Sequence, residues 1–137
     1  MESKANIKAV MILLLGFCIL PGCGGDDDGE SAIVNNWNGT EFTVSGCTYP
    51  DDNGTETCAS DCITANFRSD GTYTITNTDG TGSSTETGTY TLSGSNISIC
   101  ENGVSTCDIF QWSVSGSTLT LSGSDDDCNV VVKFNKA

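Results

Sequence analysis

Cys62-Ile63-Thr64-Ala65-Asn66-Phe67-Arg68-Ser69-Asp70-Gly71-Thr72-Tyr73-Thr74-Ile75-Thr76-Asn77 decides the fold. Ile63, Ala65 and Phe67 alternate with Thr64, Asn66 and Arg68; beyond Asp70-Gly71, Tyr73 and Ile75 alternate with Thr72, Thr74 and Thr76. A period of two puts every second side chain on one face, so each run reads as a strand with one apolar side. Asp-Gly between two such runs signals a tight turn, and tight turns join antiparallel neighbours. Residues 62–68 and 71–77 therefore read as a β-hairpin.

The pattern repeats on both sides of this hairpin. Upstream lies 38–47, with Phe42 and Val44. Downstream lie 86–93 (Tyr90, Leu92), 95–101 (Ile97, Ile99), 106–115 (Phe110, Trp112, Val114), 117–122 (Leu119, Leu121) and 128–135 (Val130, Val132, Phe134). Ser93-Gly94-Ser95, Asn102-Gly103 and Ser115-Gly116-Ser117 read as short hairpin turns, and Asp79 to Ser84 as a longer flexible one. Ser31 to Asn36 reads as one helical turn. No crossover is long enough for parallel pairing. Eight successive antiparallel strands make either an open meander or a closed barrel, and closure removes exposed edges. The expectation is all-β: a small eight-stranded antiparallel up-and-down barrel spanning 32–137.

Closure has a consequence for the cysteines. Strand eight must pair with strand one, which brings Cys128 beside Cys47. Cys100 and Cys107 flank the Asn102-Gly103 turn, which leaves Cys58 with Cys62. Pairing of Cys47 with Cys58 or Cys62 is the competing arrangement, because strand one also neighbours strand two. Six cysteines allow 15 connectivities. A zinc site of Cys58, Cys62, Cys100 and Cys107 is the rival use, but the spacings are wider than those of structural zinc sites and the chain has no histidine.

The remaining two cysteines, Cys18 and Cys23, lie at the amino end. Lys4 and Lys8 precede an apolar run of 12 residues, Ala9 to Leu20. A membrane span needs about 20, so residues 1–22 read as a signal peptide. Leu20-Pro21-Gly22-Cys23 resembles the lipobox of bacterial lipoproteins, which implies cleavage before Cys23 and lipidation of it, palmitate included. Pro21 departs from the usual residue at that position. Residues 23–31 contain Gly24-Gly25-Asp26-Asp27-Asp28-Gly29-Glu30, an acidic tether that cannot bury apolar area. In the Bacteroidota, such a cluster after the lipidated cysteine resembles a surface-export signal. Its other use is as a solvated spacer.

The chain carries 18 acids against five bases. Removal of residues 1–22 takes Lys4, Lys8 and Glu2 and leaves Arg68, Lys133 and Lys136 against 17 acids, a net charge of −14 over 115 residues. One domain fits that length. A phosphate backbone needs clustered Lys and Arg, so nucleic acid is excluded as a partner. Anionic lipid would repel the domain, leaving the lipid on Cys23 as its membrane contact.

A family likeness emerges at this point. Phe67-Arg68-Ser69-Asp70-Gly71-Thr72-Tyr73, Gly88-Thr89-Tyr90-Thr91-Leu92-Ser93-Gly94, Trp112-Ser113-Val114, Thr118-Leu119-Thr120-Leu121 and Val131-Val132-Lys133-Phe134, with the early Trp37, resemble the lipocalin-like domains of Bacteroidota lipoproteins. The likeness runs in order over about 33–137. It implies a small barrel with a ligand cavity, in an outer-membrane lipoprotein that faces either the periplasm or the cell surface. The six barrel cysteines depart from the commoner pattern.

The chemistry available is limited. Without histidine there is no Ser-His or Cys-His nucleophile pair, and the acids cluster in turns where carboxylates are usually solvated. The chain is therefore not expected to be an enzyme or to carry a cofactor. Asp51, Asp52, Asp125, Asp126 and Asp127 are weak calcium candidates: they are hard oxygen ligands, but without EF-hand spacing. The inward aromatics Phe42, Phe67, Tyr73, Tyr90, Phe110, Trp112 and Phe134 are the ligand-facing candidates for a small apolar or amphipathic molecule. The alternative is a monomeric surface module with a filled barrel and a protein partner, for which Ile109 and Val131 are the exposed apolar residues.

Overall fold

The computed structural model describes residues 32–58, 62–125 and 127–137. Residues 1–22, read as a signal peptide, Cys23 and residues 24–31, read as a tether, lie outside them. Ala32 and Ile33 are helical, and nine strands follow: β1 Asn35–Ser45, β2 Gly54–Thr57, β3 Ile63–Phe67, β4 Thr72–Asp79, β5 Gly82–Ser93, β6 Asn96–Glu101, β7 Cys107–Ser115, β8 Thr118–Asp125 and β9 Cys128–Lys136. All pairings are antiparallel. β3 to β9 run in sequence order around the wall, and β1 closes it by pairing with β9 on one side and β3 on the other. The result is the closed eight-stranded barrel read from the alternation.

The ninth strand was not foreseen. β1 pairs with β3 only over Asn35–Asn38; over Glu41–Val44 the same edge is taken by β2. β2 and β3 are thus successive partners of one edge, and the break between them is bridged by Cys58–Cys62. Gly54-Thr55-Glu56-Thr57 has no apolar residue and is exposed throughout. It is held by backbone pairing and by the Thr43–Thr55 hydroxyl contact of 3.1 Å. The expected flexible hairpin at Asp79–Ser84 is also corrected. The ladder continues to Asp79↔Gly82, and Thr81 N and Oγ1 both donate to Asp79 Oδ1. The turn is therefore two residues long.

The two ends of the barrel differ. At one end Ile33 is 0 % exposed and its carbonyl accepts from Trp37 Nε1 at 2.8 Å. Trp37, Phe67 and Phe134 are buried beside it. At the other end lie all three disulfides: Cys47–Cys128, Cys58–Cys62 and Cys100–Cys107. The first latches β1 to β9, as closure required. One end is stapled by packing, the other covalently. The bridges contribute roughly 2–5 kcal/mol each, more for longer loops, a large share for a domain of this size.

Candidate functional site

The inward aromatics are mostly committed to the core. Phe67, Tyr73, Tyr90 and Phe134 are buried, while Phe42, Phe110 and Trp112 are half-buried. The Phe67 ring meets the Tyr90 ring edge-on at 5.1 Å and lies 6.3 Å from that of Tyr73, separations at which aromatic pairs attract. Their polar atoms are used internally. The Tyr90 hydroxyl donates to Arg68 O at 2.7 Å, and Trp112 Nε1 to Gly94 O at 3.1 Å. Among the described residues no buried side-chain nitrogen or oxygen lacks a partner.

Toward the disulfide end the lumen turns acidic, a clustering that no single strand's alternation shows. Glu86 is opposite Ile75, Glu101 opposite Gly88, and Asp108 opposite Ile99, so all three carboxylates share the inward face. The Tyr73 hydroxyl donates to Glu86. Burial holds the Glu86 carboxyl above the ordinary value of 4.5, and Glu101 adds to this; the Tyr73 hydrogen bond works against it. Burial likewise pushes the Tyr73 phenol up, reinforced by Glu86, Glu101 and Asp108.

Among the described residues the calcium candidates do not come together. Asp51 and Asp52 are exposed in a 3-10 turn, Pro50–Asp52. Asp127 Oδ2 accepts from Thr48 N at 2.6 Å, and hydrogen bonds from the Thr48 side chain and then its backbone hold the carboxyl below 3.8. Asp126 and the Asp125 side chain lie outside the described residues. Among the described residues no three acids or cysteines converge as metal ligands do.

One concavity stands out on the outer wall. A groove of about 360 Å³ crosses β6 to β9. Its sides carry Ile109, 52 % exposed, and Val131. Register turns Asn96, Gln111, Ser122, Ser124 and Asn129 outward with them. The floor is thin at Gly123, where Phe110 packs from inside: a Cβ there would lie 2.8 Å from its Cδ1. Ile109 was legible as an exposed apolar residue; Val131, expected to be exposed, is half-buried, and Tyr49, 72 % exposed, was not foreseen. That four strands gather Ile109 and Val131 into one groove was not legible.

No family model and no curated protein matches this chain. Solved structures do. A lipocalin-like protein from Bacteroides uniformis superposes with a TM-score of 0.59 at 20% identity, covering 77% of this chain and 99% of that one. An uncharacterized protein from Bacteroides eggerthii gives 0.57 at 16% identity over the same shares. The fold is therefore lipocalin-like.

Proposed function

We propose that the chain is an exported, lipid-anchored binding module of the outer membrane, non-catalytic and monomeric, that recognises its ligand outside the barrel lumen. The observation that carries this is the state of the interior. Ile33, Trp37, Phe67, Tyr73, Phe134 and their neighbours fill it, and its aromatic donors are already bonded to the protein itself. A ligand site needs apolar space and a few unpartnered polar groups; the lumen around Trp37, Phe67, Tyr73 and Phe134 supplies neither.

Export is supported by the six barrel cysteines pairing completely, as they do in oxidising compartments. Anchoring rests on Leu20-Pro21-Gly22-Cys23, and surface exposure on Asp26, Asp27 and Asp28. Mass spectrometry of the mature amino terminus is expected to find acylated Cys23; a free thiol there, or cleavage elsewhere, overturns the anchor.

A second reading has one observation of its own. Phe42, Val44 and Val132 face inward toward the disulfide end yet are only half-buried, so a small amphipathic ligand entering there would meet apolar surface. An apolar fluorescent probe separates the two. No stoichiometric binding is expected; one probe per folded chain, quenched by Phe42→Trp, would establish the lumen site instead.

A further inference from the structure

We infer that the groove over β6 to β9 is a binding site for a neutral, hydroxyl-rich ligand, a mono- or disaccharide. The inference rests on recognition lying outside the lumen and names the place and the chemistry.

Three observations converge. The first is the donor set. Asn96, Gln111, Ser122, Ser124 and Asn129 line the groove with side-chain amides and hydroxyls, and among the described residues none of them bonds to another side chain or to the backbone. Groups that both donate and accept match a sugar hydroxyl, which does the same. The second is charge. Among the described residues no Lys, Arg, Asp or Glu lines the groove, on a chain of net charge −13. Anionic ligands are repelled by the surroundings, and a cationic one meets no carboxylate among the described lining residues. The third is the apolar share. Ile109 and Val131 rise on opposite sides, with Phe110 reachable at Gly123. The C–H face of a pyranose can rest on such a surface while its hydroxyls reach the amides.

Size and shape favour a compact ligand. About 360 Å³ lies at the small end of small-molecule sites. An extended peptide is held chiefly by backbone bonds along a free strand edge. Here β8 and β9 pair with each other along the groove, Ser122↔Val131 to Ser124↔Asn129, whereas the β7–β8 ladder ends at Gln111↔Ser122, so the strand edge beyond it is what the peptide arm of the test addresses.

The test is amide NMR of the purified, disulfide-intact protein titrated with glucose, galactose, N-acetylglucosamine, lactose and cellobiose. Glucuronate serves as the anionic control and a Gly-Ser-Asn hexapeptide as the peptide arm. At least one neutral saccharide is expected to shift the Gln111, Ser122, Ser124 and Asn129 amides at millimolar concentration, with glucuronate weaker. Gln111→Ala, at an exposed and unpartnered position that leaves the fold intact, should weaken binding about three- to tenfold, the worth of a hydrogen bond. Ser122→Trp should fill the groove and abolish binding. No saccharide shift, or binding of the peptide alone, overturns the groove assignment and leaves the filled lumen standing. Shifts confined to Phe67, Tyr73 and Tyr90 overturn both.

Discussion

Tyr73 covers Gly88, its direct partner across β4 and β5. A Cβ at Gly88 would lie 2.8 Å from the Tyr73 ring and 2.0 Å from Cys100 O. The same device recurs where Phe110 covers Gly123 and Ile63 covers Gly39. An inward glycine lets a large neighbour lie flat over it, so a narrow barrel holds more aromatic volume than its strand count suggests. This arrangement is what fills the lumen.

Gly88→Ala is therefore expected to destabilise the protein by about 1–3 kcal/mol through overpacking. Gly80→Ala, with nothing within 4 Å, should stay within about 0.5 kcal/mol. Denaturant midpoints at constant slope measure both. Equal effects would mean that the Tyr73 packing tolerates a methyl group.

Stability should also depend on pH in an unusual direction. Most carboxylates are depressed in folded proteins, but the Glu86 carboxyl is raised above 4.5. Its folded form holds the proton more tightly than the unfolded chain does. Its stabilising contribution is thus fully present below pH 4.5 and is lost as pH rises through the folded value. Asp70 and Asp127 act oppositely. Both are depressed below 3.8, chiefly by side-chain hydrogen bonds from Thr72 and Thr48 respectively, so acid below that value weakens the turns they hold. Stability is expected to peak on the acidic side of neutrality. Glu86→Gln should flatten the decline above pH 4.5, and an unchanged profile would refute the assignment.

The three disulfides should differ in worth by loop length. Cys47–Cys128 spans 81 positions and Cys58–Cys62 spans 4. On the chain-entropy account, removing the first by paired Ser substitutions costs about 4–5 kcal/mol and removing the second about 2. Thermal unfolding of the two double variants checks the order, which reverses if the break between β2 and β3 controls closure.

How much of this was legible depended on which physical force carried each feature. The barrel was, because inward apolar residues such as Ile63, Ala65 and Phe67 repeat with the strand period. The Cys47–Cys128 latch followed from closure alone. β2 was not, because Gly54–Thr57 pairs through its backbone and buries nothing. The inward carboxylates were passed over: the period of two puts Glu86 on the face of Tyr90, Glu101 on that of Ile99 and Asp108 on that of Phe110, but a lone acid among Ser and Thr reads as solvated, and only the pairing of neighbouring strands shows the three together. The groove depends on the relation of four strands that no local pattern records.

Two isoleucines separate the roles of core and wall. Ile33 is 0 % exposed and Ile109 is 52 % exposed. Ile33→Ala opens a void beside Trp37 and Phe134 and should cost about 2–5 kcal/mol. Its backbone carbonyl, which accepts from Trp37, is retained, so the loss reports packing alone. Ile109→Ala removes surface that the fold does not use, and its stability should change by less than about 0.5 kcal/mol. Its effect should appear in binding, as a weakened saccharide titration with unchanged near-ultraviolet circular dichroism. If Ile109→Ala instead destabilises the barrel while leaving the titration unaltered, Ile109 belongs to the packing of β7 and the groove is not where recognition occurs.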